Sequence, residues 1–284
     1  MKFKTFLLAT ILVAIISCSK KDDPIIADPI IPPVTTVGDD VVTTYVNLAA
    51  GNSWTYNTTR ATIMPLPTSS IDATDVLTVG DNYVDPANNK TYKTMMASTT
   101  TGFYCSMLKN NYLRVDGSSV KMTGKFNFNL GGNSVDLPVT DFVIFKENAI
   151  TGTNLGMPAT GSTILNVPNV PYPITVNYTI KAVAGGTSVP ITSNAITYND
   201  IKKIILYITI DANATLPTFG QLQVLQPAAQ DVIVSTQYYS KNNGLIKAET
   251  AVKYTVNPAI IQLAPNFPSN GEQNVTDILF NKNF

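Results

Sequence analysis

Hydrophobic and polar residues alternate with a period of two along several segments of this chain. In residues 120–130 the even positions are apolar apart from Gly124, whereas Lys, Thr and Asn fill the odd positions. Successive side chains of a β-strand point to opposite faces, so the pattern predicts a long strand with one apolar face. Gly131-Gly132-Asn133 then predicts a turn, and residues 135–146 predict the returning strand of a β-hairpin.

The same alternation returns in the second half of the chain. Residues 175–182 and 204–210 predict two further strands, and residues 232–256 predict a hairpin. The turn of that hairpin contains Asn242-Asn243-Gly244, residues that tolerate a positive φ. No amphipathic segment longer than two helical turns stands out. Long strands with one polar face predict a mostly β protein of antiparallel strands, arranged as a curved half-barrel or a β-sandwich, with few or no long helices.

Four other segments carry weaker signals. Residues 103–108 look strand-like and contain Cys105, which we expect to be a buried structural thiol. Residues 148–173 are rich in Gly, Pro and Asn and predict the longest connection. Residues 258–274 predict a second irregular stretch, followed by a short strand at 275–280. Asp72 and Asp75 precede a strand, where turn formation explains them.

The N-terminus has the pattern of a cleaved export signal. Lys2 and Lys4 precede an apolar run over residues 6–16, which is too short to span a bilayer and stops at polar residues. The prolines that follow, from Pro24 to Pro33, predict an extended spacer, since proline fixes φ. We therefore predict a signal peptide at 1–17, a tether at 18–40 and a single antiparallel β domain at 41–284.

Ile15-Ile16-Ser17-Cys18 resembles the lipobox of bacterial lipoproteins. The resemblance implies that Cys18 becomes the lipidated N-terminus and that its acyl chains anchor the protein to a membrane. The charged stretch that follows, Ser19-Lys20-Lys21-Asp22-Asp23, resembles the export signal of outer-membrane lipoproteins of Bacteroidota. An ordinary solvated tether would look similar, so the expected location is the outer membrane, at either the cell surface or the periplasmic face.

Two further patches resemble uncharacterised lipoproteins of Bacteroidota. The first is Leu48-Ala49-Ala50-Gly51-Asn52-Ser53-Trp54-Thr55-Tyr56. The second is Tyr198-Asn199-Asp200-Ile201, followed later by the hairpin Tyr238-Tyr239-Ser240-Lys241-Asn242-Asn243-Gly244-Leu245-Ile246-Lys247. Such proteins are similar to the half-barrel fold of periplasmic lipoprotein carriers. The resemblance implies a curved antiparallel sheet with an apolar concave face.

Charge and composition exclude several functions. The chain has 19 basic and 19 acidic side chains, and removal of the signal peptide leaves it slightly acidic, so nothing predicts nucleic-acid binding. It has no histidine, which excludes a Ser-His-Asp triad and most zinc and copper sites. No pair of acidic residues in the sequence supports catalysis. We therefore predict a protein that is not an enzyme, with no catalytic residues, no metal site and no cofactor.

The apolar faces of the predicted strands are the candidate ligand site. An apolar small molecule or lipid could lie on a concave face, whereas in a sandwich the same side chains would form the core. The alternative function is a surface-displayed structural or interaction protein with a plain sandwich core, and the oligomeric state stays open. The candidate ligand-binding residues are Trp54, Phe126, Phe128, Tyr178, Ile180, Leu206, Ile208, Val252 and Tyr254.

Overall fold

The computed structural model describes residues 42–130, 133–167, 172–216, 220–263 and 270–284. Within these ranges the chain is mostly β, as the alternation predicts, and its two helices have six residues each. The signal peptide, Cys18 and the tether fall outside the described residues, so those assignments stay predictions.

The strands are long and vary between 3 and 17 residues. In chain order the elements are β1 (Ser53–Met64), β2 (Ser69–Asp85), β3 (Lys90–Ala97), α1 (Phe103–Leu108), β4 (Tyr112–Asp116), β5 (Ser119–Leu130), β6 (Asn133–Lys146), β7 (Ala159–Leu165), β8 (Ile174–Ser188), β9 (Ile191–Ser193), β10 (Ile196–Tyr198), β11 (Ile201–Leu216), β12 (Gly220–Gln223), β13 (Ala229–Ser240), β14 (Gly244–Thr255), α2 (Pro258–Leu263) and β15 (Asn270–Lys282).

One antiparallel sheet of 13 strands forms the body. Its path runs β6-β5-β4-β3-β2-β1-β15-β14-β13-β11-β8-β7, with β12 beside β11, while β9 and β10 form a separate hairpin. The sheet curls until its edge strands β6 and β7 come close together, which nearly closes a barrel and leaves one unsealed seam. Of the two architectures left open by the sequence, the protein has the curved single sheet, and that sheet closes further than half a barrel.

A tyrosine bridges the seam. The Tyr178 hydroxyl on β8 donates a hydrogen bond to the Pro138 carbonyl on β6, with an oxygen–oxygen distance of 2.7 Å. Tyr178 pairs with Gly161 on the intervening strand β7, where a Cβ would lie 2.3 Å from the tyrosine hydroxyl. The glycine therefore lets the ring cross β7. Pro138 has no N–H that could donate a backbone hydrogen bond to a neighbouring strand. The hydrogen bond from the Tyr178 hydroxyl joins the two edges of the sheet at this position instead.

We expect Tyr178→Phe to lower the free energy of unfolding by about 1 kcal/mol, the usual net contribution of one hydrogen bond. Urea unfolding measures the change. Tyr207→Phe is the matched control, because Tyr207 lies on the outer face of β11 beside Lys181, and its hydroxyl makes no hydrogen bond to any residue that the structure describes. Equal unfolding midpoints for the two variants would contradict a bridging role for Tyr178.

The chain closes one end of the barrel with the segment that precedes β1. The Thr43 N–H donates to the Gly117 carbonyl, and the Thr44 carbonyl accepts from the Asn242 N–H. The Tyr45 hydroxyl donates to the Asp200 carbonyl over 2.9 Å. These three contacts join the segment to turns at one end of the sheet, the end at which β1 begins. We call this the closed end of the barrel.

Helix α1 fills the middle of the barrel. Its buried residues are Tyr104, Cys105, Met107 and Leu108, and they meet inward side chains from several strands. The rings of Tyr104 and Tyr239 lie 6.4 Å apart, and those of Phe145 and Tyr239 lie 4.8 Å apart. A barrel of this many strands is wider than side chains from the wall alone can fill, so the helix supplies the rest of the core.

The structure corrects four predictions about local elements. Residues 103–108 are helical and not strand-like, because six residues are too few for either period to be recognised. The connection at 148–173 contains the edge strand β7. The predicted short strand at 275–280 is the middle of the thirteen-residue β15. Asp72 and Asp75 lie within β2, not in a turn. Cys105 is fully buried, as expected, and burial raises the pKa of its thiol.

Candidate functional site

The nine candidate ligand-binding residues all point into the barrel, but they divide into two groups. Six of them are buried in the packed core: Trp54, Phe126, Tyr178, Ile180, Leu206 and Ile208. The other three, Phe128, Val252 and Tyr254, line a cavity of about 470 Å³. The structure therefore brings together only part of the predicted site, at one place in the interior.

The cavity lies at the end of the barrel opposite the closed end. It is near the last residues of β1, β5 and β14 and the first residues of β15, which meet there because the strands are antiparallel. Its apolar lining also includes Phe103 and Ile233, and the polar lining residues are Arg60, Asn127, Asn129, Glu272 and Gln273. The volume falls within the range of roughly 300–1,000 Å³ found for small-molecule sites.

Two aromatic rings meet across the barrel at this cavity. Phe128 on β5 and Tyr254 on β14 form an edge-to-face pair with centroids 6.0 Å apart, although their strands are not neighbours in the sheet. Gly271 on β15 pairs with Tyr254, and a Cβ at Gly271 would lie 2.2 Å from the tyrosine ring. The glycine thus leaves room for the Tyr254 ring, which helps to shape the wall.

Two buried carboxylates hold the helix below the cavity. The Asp75 carboxylate accepts hydrogen bonds from the Thr99 hydroxyl and, at 2.7 Å, from the Gly102 N–H at the start of α1. The Asp277 carboxylate accepts from the Thr58 hydroxyl at 2.8 Å and from the Tyr104 N–H at 3.3 Å. Because Phe103 lies between these contacts and lines the cavity, the two aspartates fix part of the cavity's lining.

Burial raises the pKa of Asp277 to about 6, and the negative charge of Asp75 adds to the effect. Both side chains are fully buried, and both direct their oxygens at the first turn of α1. The arrangement positions a helix and leaves the carboxylates shielded from any molecule in the cavity. Neither aspartate lines it.

Charge at the cavity comes from Arg60 and Glu272. The Glu272 carboxylate is paired with the Lys253 ammonium group over 3.3 Å. Arg60 is the cationic group of the lining, and it lies on the inward face of β1.

Sequence reasoning missed several lining residues for different reasons. Arg60 continues the even positions Trp54, Tyr56 and Thr58 on β1, so the alternation could have identified it as an inward cation. Phe103 reaches the cavity from α1, and the carboxylates that hold this helix come from opposite ends of the sequence. No local pattern reports such contacts.

Neither helix in the described part of the chain has the length and apolar character that crossing a membrane requires. Among the described residues, no group of three or more His, Cys, Asp or Glu side chains could hold a metal ion. Comparisons of the chain with protein-family models, curated proteins and solved structures give no match.

Proposed function

We propose that this chain is a membrane-anchored lipoprotein, held at the outer membrane through Cys18, whose barrel binds an apolar small molecule or lipid. The binding site is the cavity lined by Phe128, Val252 and Tyr254. The proposed role is binding without catalysis and without a cofactor.

The observation that carries the proposal is the opening at one end of the barrel that is lined by Phe128, Val252 and Tyr254. The middle of the interior is packed around α1, whereas about 470 Å³ stays open beside apolar side chains at one end. The cavity is open to solvent on one side, so a ligand could enter it without the strands moving apart. An apolar lining with a few polar groups is typical of ligand sites.

We expect Val252→Trp to weaken binding of a neutral naphthylamine dye, whose fluorescence rises in apolar surroundings, by tenfold or more. The indole would occupy space that the dye needs, since Val252 is part of the cavity lining. The measurement is a fluorescence titration of the full chain carrying Cys18→Ala, which removes the lipid anchor.

Ala251→Trp is the matched control, because Ala251 is the neighbour on β14 that faces outward and is exposed. It should keep the affinity of the unmodified barrel. Circular dichroism establishes that both variants are folded. If the two tryptophan variants bind the dye equally well, the ligand does not occupy this cavity and the proposal fails.

A further inference from the structure

Arg60 is a cation on the apolar, inward side of the sheet. The inward residues before it on β1 are Trp54, Tyr56 and Thr58, all buried. Across β15 it pairs with Val275, which is also buried. Strand alternation therefore directs the guanidinium group towards the interior, at the cavity.

Within the described ranges, the Arg60 side chain takes part in no hydrogen bond or ion pair. The chain's other arginine, Arg114, contrasts with it: its guanidinium group contacts Asp116 at 3.1 Å and Asp141 at 2.9 Å. Glu272, the one carboxylate that the described residues contribute to the cavity lining, is already paired with Lys253. Among the residues that the structure describes, the charge of Arg60 thus has no anionic partner.

The guanidinium group of Arg60 is only partly buried, so water reaches it in the open cavity and the anionic group of a ligand can replace that water. A guanidinium group presents a planar fork of donors that matches a carboxylate or phosphate group. An anionic ligand would supply the missing partner, and its apolar part would contact Phe128, Val252 and Tyr254. The aromatic rings of Phe128 and Tyr254 and the guanidinium group of Arg60 line the same cavity, so a single molecule can contact all three.

The cavity volume limits the apolar part of such a ligand. About 470 Å³ lies towards the lower half of the usual range of ligand sites, which suits one alkyl chain better than a lipid with several. We infer that the cavity binds a single-chain amphiphile with an anionic head group, held by Arg60. This inference rests on the proposed function and specifies its ligand class.

Displacement of the neutral dye by two ligands of equal chain length tests the inference. Dodecanoate carries a charge at about pH 8, whereas dodecanol does not. Both are titrated against the full chain carrying Cys18→Ala and against the same chain carrying Arg60→Gln or Arg60→Lys. We expect Arg60→Gln to weaken dodecanoate binding by about tenfold or more, as for loss of a charge-assisted hydrogen bond. Dodecanol binding should change less than about threefold.

Arg60→Lys keeps the charge, so it should retain most of the preference for dodecanoate over dodecanol. Dodecyl phosphate, as a third ligand, distinguishes carboxylate from phosphate head groups. If Arg60→Gln weakens the binding of dodecanoate and of dodecanol equally, or weakens neither, the head-group inference is wrong while the cavity proposal stands. If neither dodecanoate nor dodecanol displaces the dye from the unmodified barrel, both proposals fail.

Discussion

We expect Gly102→Ala to lower the free energy of unfolding by about 3 kcal/mol, the upper part of the range for overpacked sites. A Cβ at Gly102 would lie 1.8 Å from Asp277 Oδ1 and 2.9 Å from Thr58 Oγ1. The backbone there has φ −75° and ψ 150°, which any residue adopts. The whole effect is therefore steric: the methyl group displaces a buried carboxylate from the hydrogen bonds that hold α1.

Urea unfolding measures this change, and Gly51→Ala is its control. Gly51 has φ +88°, and a Cβ there would meet nothing within 4 Å, so alanine costs only backbone strain, about 1 kcal/mol. A Gly102→Ala variant no less stable than Gly51→Ala would mean that the carboxylate can move without loss. The helix would then not depend on Asp277.

The second large effect is a pH dependence that Asp277→Asn removes. The pKa of Asp277 is about 6 in the folded protein, above the ordinary value of 3.8, because the carboxylate is buried. The folded state therefore holds this proton more tightly than the unfolded state. Stability falls as pH rises from about 4 to 6, and the cost of the buried charge is fully present above that window.

We expect the stability of the wild type relative to Asp277→Asn to decrease by about 3 kcal/mol between pH 3 and pH 7, from 1.36 kcal/mol per pKa unit. Denaturant unfolding at several pH values measures this decrease. The difference between the two unfolding free energies cancels the contributions of the carboxylates that both proteins contain. Asp72→Asn, which removes an exposed carboxylate, should keep the wild-type profile. A constant difference between wild type and Asp277→Asn would show that Asp277 does not titrate in this way.

The sequence predicts which face of each strand is buried better than it predicts how the space inside the barrel is filled. Alternation placed Phe126 and Phe128 on the buried face of β5 correctly, because that face is set by the strand's own period. It could not show that Phe126 packs in the core while Phe128 borders a cavity. That difference depends on how far α1 fills the barrel, and α1 is held by Asp75 and Asp277 through contacts distant in sequence.

The closed form of the sheet was also beyond local reasoning. A polar and an apolar face fit a half-barrel and a sandwich equally, because both bury one side of each strand. The approach of β6 to β7 rests on Tyr178 reaching Pro138 past Gly161. Arg60 is different: its inward position follows from the alternation of β1 alone, so an inward cation was within reach of the sequence.

The most direct measurement of the central claim is the location of a bound chain. Crystals of the full chain carrying Cys18→Ala, grown with bromine-terminated dodecanoate, would give an anomalous signal from the bromine. We predict one strong peak inside the cavity bounded by Phe128, Val252 and Tyr254, with the carboxylate at Arg60. A peak only on the outer face of the sheet, or only at the seam between β6 and β7, would contradict ligand binding in this cavity.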